Sequence, residues 1–210
     1  MEQRYFFQNA KWVGAPERTA DSFSVSRGHF FAEPDSKAEL RIIGLGFFKC
    51  YINGKCINPD TFLPLSSDYE GTCDPEGEVL SGHRIYVPRF DISEFVKAGD
   101  NVIAIHYGGG WYGHQCRIFG LPKAIYCICV QKDENIRYYT SDESCRVGKG
   151  YAEQYKLQIE RQNLLNADGC LDPEFDDRKW SHAIVTEPLD MTFLLRTSPL
   201  LIAREQHGRC

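Results

Sequence analysis

Phe47-Phe48-Lys49-Cys50-Tyr51-Ile52-Asn53-Gly54-Lys55-Cys56-Ile57 is the stretch that decides the fold. Asn53-Gly54 supplies the two positive-φ positions that a type I′ turn requires, so the segment reads as a tight β-hairpin. Outward from it, short apolar runs with a two-residue period recur, broken by Gly, Pro, Asn and Asp about every ten residues. Strands are expected at 22–31, 38–44, 84–89, 101–107, 123–131 and 136–140. This is the pattern of an all-β sandwich, although the pairing of its strands is not legible. Helical signals are short. Asp91 to Asp100 reads as a single turn opened by Asp or Ser and closed by Gly99 in a left-handed conformation. Residues 151–165 fit helical spacing through Tyr151, Tyr155 and Ile159, and strand alternation through Leu157 and Ile159. No repeat or low-complexity linker divides the chain, so 1–210 is expected to be one domain with its folded core at about 10–202.

Composition narrows the function classes. The 210 residues are 42% hydrophobic, 25% charged and 13% aromatic, which excludes disorder and collagen-like structure. With 24 Lys and Arg against 29 Asp and Glu, the net charge is −5. A nucleic-acid partner is not expected, since such binders carry a basic stripe. No apolar run reaches the roughly 18 residues of a membrane span, and the first residues lack a basic-then-apolar leader. The nine cysteines are odd in number and irregularly spaced, and read as reduced thiols of a cytoplasmic protein.

Several motifs suggest chemistry and are weighed on context. Gly108, Gly110 and Gly113 match G-x-G-x-x-G after a strand, but Pro122 and a further strand follow instead of the helix a dinucleotide site needs. The alternative use of the three glycines is a tight loop that brings Trp111 and Tyr112 to a sheet edge. Those rings either stack on the apolar face of a sugar or plug the end of the sandwich. Cys127 and Cys129 share one face of a strand, without the second ligand pair that zinc requires, and read as small buried hydrophobes. The pairs Glu76 with Glu78, Asp142-Glu143 and Asp176-Asp177 are too close in sequence to face each other across a glycosidase cleft about 5–10 Å wide. Phe175-Asp176-Asp177-Arg178-Lys179-Trp180 reads as a turn with both aromatics anchored inward and Asp176 bonding nearby amides.

Taken together, Gly44-Leu45-Gly46-Phe47 through Asn53-Gly54-Lys55, Leu63-Pro64, Asp68-Tyr69, Asp91-Ile92, Gly99-Asp100-Asn101-Val102-Ile103 and Gly110-Trp111-Tyr112 resemble, in order and spacing, the N-terminal non-catalytic domain of bacterial alpha-L-rhamnosidases. The resemblance covers roughly residues 38–182. It implies a jelly-roll or galactose-binding-like β-sandwich with one or two short helical turns. It also implies a separate helical (α/α) barrel, outside this chain, that hydrolyses terminal rhamnose. The chain alone is therefore expected not to be an enzyme. Its implied partners are a rhamnose-containing glycan and the catalytic domain of the parent protein; the rival reading is a structural spacer packed on that barrel. Asn58, Asp60, Trp111, Tyr112 and His114 are the candidate sugar contacts. In relatives the resemblance further implies a calcium ion, held by an acidic pair after the hairpin and by an Asn in a Gly-Asn-Gly-Trp loop. Pro59 and Asp60 stand at the first place and Gly109 at the second. Calcium takes six to eight oxygens, so no tight calcium site and no other cofactor is expected.

Overall fold

The computed structural model describes residues 6–19, 22–59, 84–110, 112–114, 117–118, 120–156, 159–163, 169–187 and 192–196. The strands, in chain order, are β1 (Val13–Gly14), β2 (Phe23–Ala32), β3 (Lys37–Leu45), β4 (Phe47–Ile52), β5 (Lys55–Cys56), β6 (Arg84–Asp91) and β7 (Gly99–Gly108). They continue as β8 (Gly113–His114), β9 (Arg117–Ile118), β10 (Lys123–Lys132), β11 (Asn135–Thr140), β12 (Arg146–Lys149), β13 (Ala152–Lys156), β14 (Ile159–Gln162), β15 (Ser181–His182), β16 (Ile184–Val185) and β17 (Thr192–Arg196). Two sheets form the sandwich. The first runs β16-β1-β10-β3-β6-β17, with β11 also on β10; the second runs β15-β12-β2-β7-β4-β5. Within the two, pairing is antiparallel except for β17, which lies parallel to β6.

Alternation explains the layers. Leu40 and Ile42 of β3, Tyr126, Ile128 and Val130 of β10, Phe48, Cys50 and Ile52 of β4, and Ile103, Ile105 and Tyr107 of β7 meet between the sheets. Each such aliphatic or aromatic side chain contributes about 1.5–3 kcal/mol by leaving water. Odd and even positions are both buried along much of β7 and β10, because each sheet is also covered on its outer face. Phe6, Phe7, Ala10, Trp12 and Tyr112 cover Ile43, Leu45, Ile85, Val87, Ile125 and Cys127 of the first sheet. Cys170, Leu171, Phe175 and Trp180 cover Val25 and Ala104 of the second.

The hairpin is as the sequence reads: Asn53 and Gly54 have φ of 50° and 80° between β4 and β5. Asn53 also ties it to the rest of the sheet. Its Oδ1 accepts from Val102 N at 3.0 Å, and its Nδ2 donates to Phe95 O at 2.9 Å and Asn101 Oδ1 at 2.7 Å. Beyond β6 the expected single turn is a 3-10 helix at Ser93–Phe95, with Asp91 Oδ1 accepting from Ser93 N, but extended Val96 ends it, and Gly99, with a φ of 97°, opens β7 instead of closing the turn. The ambiguous 151–165 segment resolves as the β13–β14 ribbon, irregular between Gln154 and Lys156. That irregularity is what blurs its period. The described residues after Gly108 form the β8–β9 ribbon, and none of them opens a helix on which a dinucleotide phosphate would sit.

The chain changes sheets at Gly46, the single residue between β3 and β4. Its φ is 104°, and a Cβ there would run into the carbonyl oxygen of Gly108. On the outer face of the second sheet, Arg27 is fully buried. Its Nε donates to Asp177 Oδ2 at 2.9 Å and its Nη1 to the carbonyls of Cys170 and Asp172 at 2.6 and 3.0 Å. Phe175 lies under the guanidinium at 5.4 Å, and Phe175 and Trp180 pack at 5.1 Å, both turned inward as expected. Asp176 accepts from Arg178 N at 3.1 Å, again as expected. The six cysteines among the described residues, Cys50, Cys56, Cys127, Cys129, Cys145 and Cys170, are all free thiols. Burial pushes the Cys127 thiol up to about 11, which leaves it protonated and unreactive at neutral pH.

Candidate functional site

The segment following β5 and the loop following β7 flank the start of β4, at one end of the second sheet. Ile57 N donates to Cys50 O at 2.9 Å, and Cys50 N donates to Asn58 Oδ1 at 2.9 Å. These bonds lay the post-hairpin segment along β4. Asn58 is 1% exposed, and its Nδ2 also donates to Phe48 O at 3.4 Å. The expectation that Asn58 faces a ligand is therefore corrected: its amide closes the backbone of the sheet and is spent there. Tyr112 is corrected in the same way. It is 4% exposed and packs with Trp12 and Phe7 on the outer face of the first sheet rather than at the end of the sandwich. Gly120 is glycine because a Cβ there would meet the Tyr112 phenol. Asp60 and Trp111 lie outside the described residues; His114 is placed in β8 by its backbone alone.

Sequence reasoning missed Lys49. Strand alternation sends Phe48, Cys50 and Ile52 inward and leaves Lys49 on the outer face, opposite His106 in the β4–β7 register. Lys49 Nζ donates to the carbonyl oxygens of Asn58 and Pro59, at 2.7 Å each. The strand's alternation identifies the face, but only the register with β7 and the return of residues 57–59 identify the partners.

His106 was also missed. It is 6% exposed, its ring stacks on Tyr151 at 3.9 Å and 20°, and its Nε2 makes no hydrogen bond. The Tyr151 hydroxyl lies 3.2 Å from that of Tyr51. Burial lowers the His106 pKa from 6.5 to about 4, so the ring is neutral near pH 7. Between those values the unfolded chain takes up a proton that the folded chain refuses. The stability contributed by neutral His106 is thus complete above about pH 6.5 and is lost as the pH falls toward 4, by up to about 3 kcal/mol. Urea unfolding across that window is expected to show this slope in the native chain and a flatter profile in His106→Phe.

A groove of about 460 Å³ opens beside this end, between the 15–19 turn and the adjoining parts of β2 and β12. Thr19, Ser22, Phe23, Ser24 and Ser181 line it with Glu17 and Lys149, and the hydroxyls of Thr19 and Ser22 lie 2.9 Å apart. The ring of Phe23 fits beneath Gly108, where a Cβ would strike it. Among the described residues no group of three or more His, Cys, Asp or Glu side chains is arranged to hold a metal ion.

Two sheets packed face to face, antiparallel but for one edge strand, define the class of an all-β sandwich domain. The chain belongs to the alpha-L-rhamnosidase N-terminal domain family, whose model matches residues 34–201. It is 25% identical over 221 residues to an alpha-L-rhamnosidase of Alteromonas sp. (strain LOR), covering 89% of this chain and 21% of that protein. Its fold is similar to that of the alpha-L-rhamnosidase from Dictyoglumus thermophilum, with a TM-score of 0.72 at 24% identity over 92% of this chain and 22% of the other. It is also similar to the enzyme from Aspergillus terreus, with a TM-score of 0.74 at 19% identity over 88% and 22%. The chain thus spans about a fifth of the length of these proteins.

Proposed function

We propose that this chain is a non-catalytic carbohydrate-recognition domain of a rhamnosidase-type glycoside hydrolase, holding rhamnose-containing glycan for a catalytic domain elsewhere in the parent protein. The observation that carries this reading is the family match over residues 34–201, set against a chain about a fifth as long as the enzymes it resembles. Asp60, Trp111 and His114 remain the proposed contacts, and the groove lined by Thr19, Ser22, Phe23 and Ser181 is of a size for one or two sugar rings. Titration with L-rhamnose, followed by amide chemical shifts, is expected to move resonances of residues 58–60, 109–114 or the groove. No shift or heat at millimolar sugar would defeat the reading.

A structural spacer is the second reading. Ile136 and Tyr138 on β11, each 50% exposed, lie side by side on one face of the first sheet and would suit burial against another domain. Under that reading the isolated chain ignores sugars and gains stability only when a catalytic domain is supplied.

A further inference from the structure

The resemblance places a divalent cation at the loop end, and the residues present do not fit one. Pro59 and Gly109, at two of the implied ligand positions, have no side-chain oxygen. Asp60 alone keeps a carboxylate, and the neighbouring backbone oxygens of residues 58 and 59 are already engaged by a cation of the protein's own. Lys49 Nζ sits 2.7 Å from the carbonyls of both Asn58 and Pro59. A calcium ion would need such oxygens at about 2.3–2.6 Å. It would compete with the ammonium for the same lone pairs and be repelled by its charge.

We propose that Lys49 is a built-in replacement for that cation, a positioning residue whose ammonium gathers the carbonyls of residues 58 and 59 and gives this end of the sandwich its shape without metal. Its place is fixed on both sides. The β4–β7 pairing sets the Cα of Lys49 opposite His106, and the bonds from Ile57 N to Cys50 O and from Cys50 N to Asn58 Oδ1 hold the acceptor segment one residue away along the same strand. A lysine stem spans this gap, whereas an aspartate at the same position would turn an oxygen toward carbonyl oxygens. An ammonium donates to carbonyls as a metal ion accepts from them, so it serves the same geometric end with one charge and no exchange with solvent. Recognition of sugar at this end, which rests on the function proposed above, is then independent of calcium.

The test uses the purified chain, titrated with calcium chloride and with EDTA in calorimetry and thermal melting, and with L-rhamnose in the presence of each. Calcium is expected to give no saturable heat, and neither reagent to move the melting temperature. Lys49→Met is expected to melt about 4 °C or more below the native chain, with Lys49→Gln, whose amide donates to one of the two carbonyls, recovering part of the loss. Saturable calcium binding, a melting point that rises with calcium, or a Lys49→Met chain as stable as the native one would overturn the assignment. Rhamnose binding that appears only with calcium would overturn it too and leave the carbohydrate reading standing. Absence of rhamnose binding under all conditions would defeat the carbohydrate reading and leave Lys49 in its role.

Discussion

Gly46→Ala is expected to cost more than about 4 kcal/mol and to leave little folded chain at ambient temperature. Two effects act together at this position. A φ of 104° lies in the region that side chains avoid, and the new methyl would be driven into the carbonyls of Gly108 and Gly109. Neither obstacle can yield locally, because both belong to backbone where the chain passes from one sheet to the other. Gly99 separates the two effects. Its φ is 97°, but a Cβ there would meet nothing within 4 Å, so Gly99→Ala is expected to cost only the backbone component, about 1–2 kcal/mol. Urea unfolding of the two variants side by side measures the difference. Equal losses would show that the close approach of Gly46 to Gly108 is unimportant.

Asp177→Ala is the second large change, expected to destabilise the chain by about 3–5 kcal/mol. Arg27 has no exposed side-chain surface, and the only carboxylate paired with it among the described residues is that of Asp177. Truncation leaves a full positive charge among Cys170, Phe175 and Trp180 with only carbonyl dipoles for company. His29 Nε2, 3.3 Å from the same carboxylate oxygen, is more than half exposed and is expected to matter little. Replacing both members together, Arg27→Met with Asp177→Leu, removes the charge as well as its partner and is expected to lose less than the single change. A loss below about 1 kcal/mol for Asp177→Ala would mean that water reaches the guanidinium.

How far these features are legible in the sequence depends on how local their causes are. The Asn53-Gly54 turn, the long strands around it and the Gly99 corner come from conformational preferences carried within a few residues. The expected boundaries accordingly agree with β2, β3, β7 and β10 to within two residues. The two-residue strands β1, β15 and β16 have no period to detect and exist because neighbouring strands offer unpaired backbone. At the loop end the difficulty is register. Asn58 has the chemistry of a sugar ligand, and only its bond to Cys50 N reveals that the amide is used internally. Lys49 reads as an ordinary surface lysine until the carbonyls of residues 58 and 59 are placed over it. The 175–180 turn shows the same limit within one motif. Asp176 is the expected anchor and does bond a backbone amide, yet its neighbour Asp177 meets the buried arginine, across 150 residues of chain.

The order of strands in the first sheet has a consequence for synthesis. Among the described strands its two outermost members, β16 and β17, come last in sequence, whereas β12, β2, β7 and β4 of the other sheet are all present once residue 149 has been made. A nascent polypeptide can therefore assemble most of one layer early, but β1 and β6 stay open along one side until residues 184–196 leave the ribosome. Such unpaired edges invite association with other chains. Premature termination just short of β16 should thus yield aggregating fragments sooner than a shortened soluble domain.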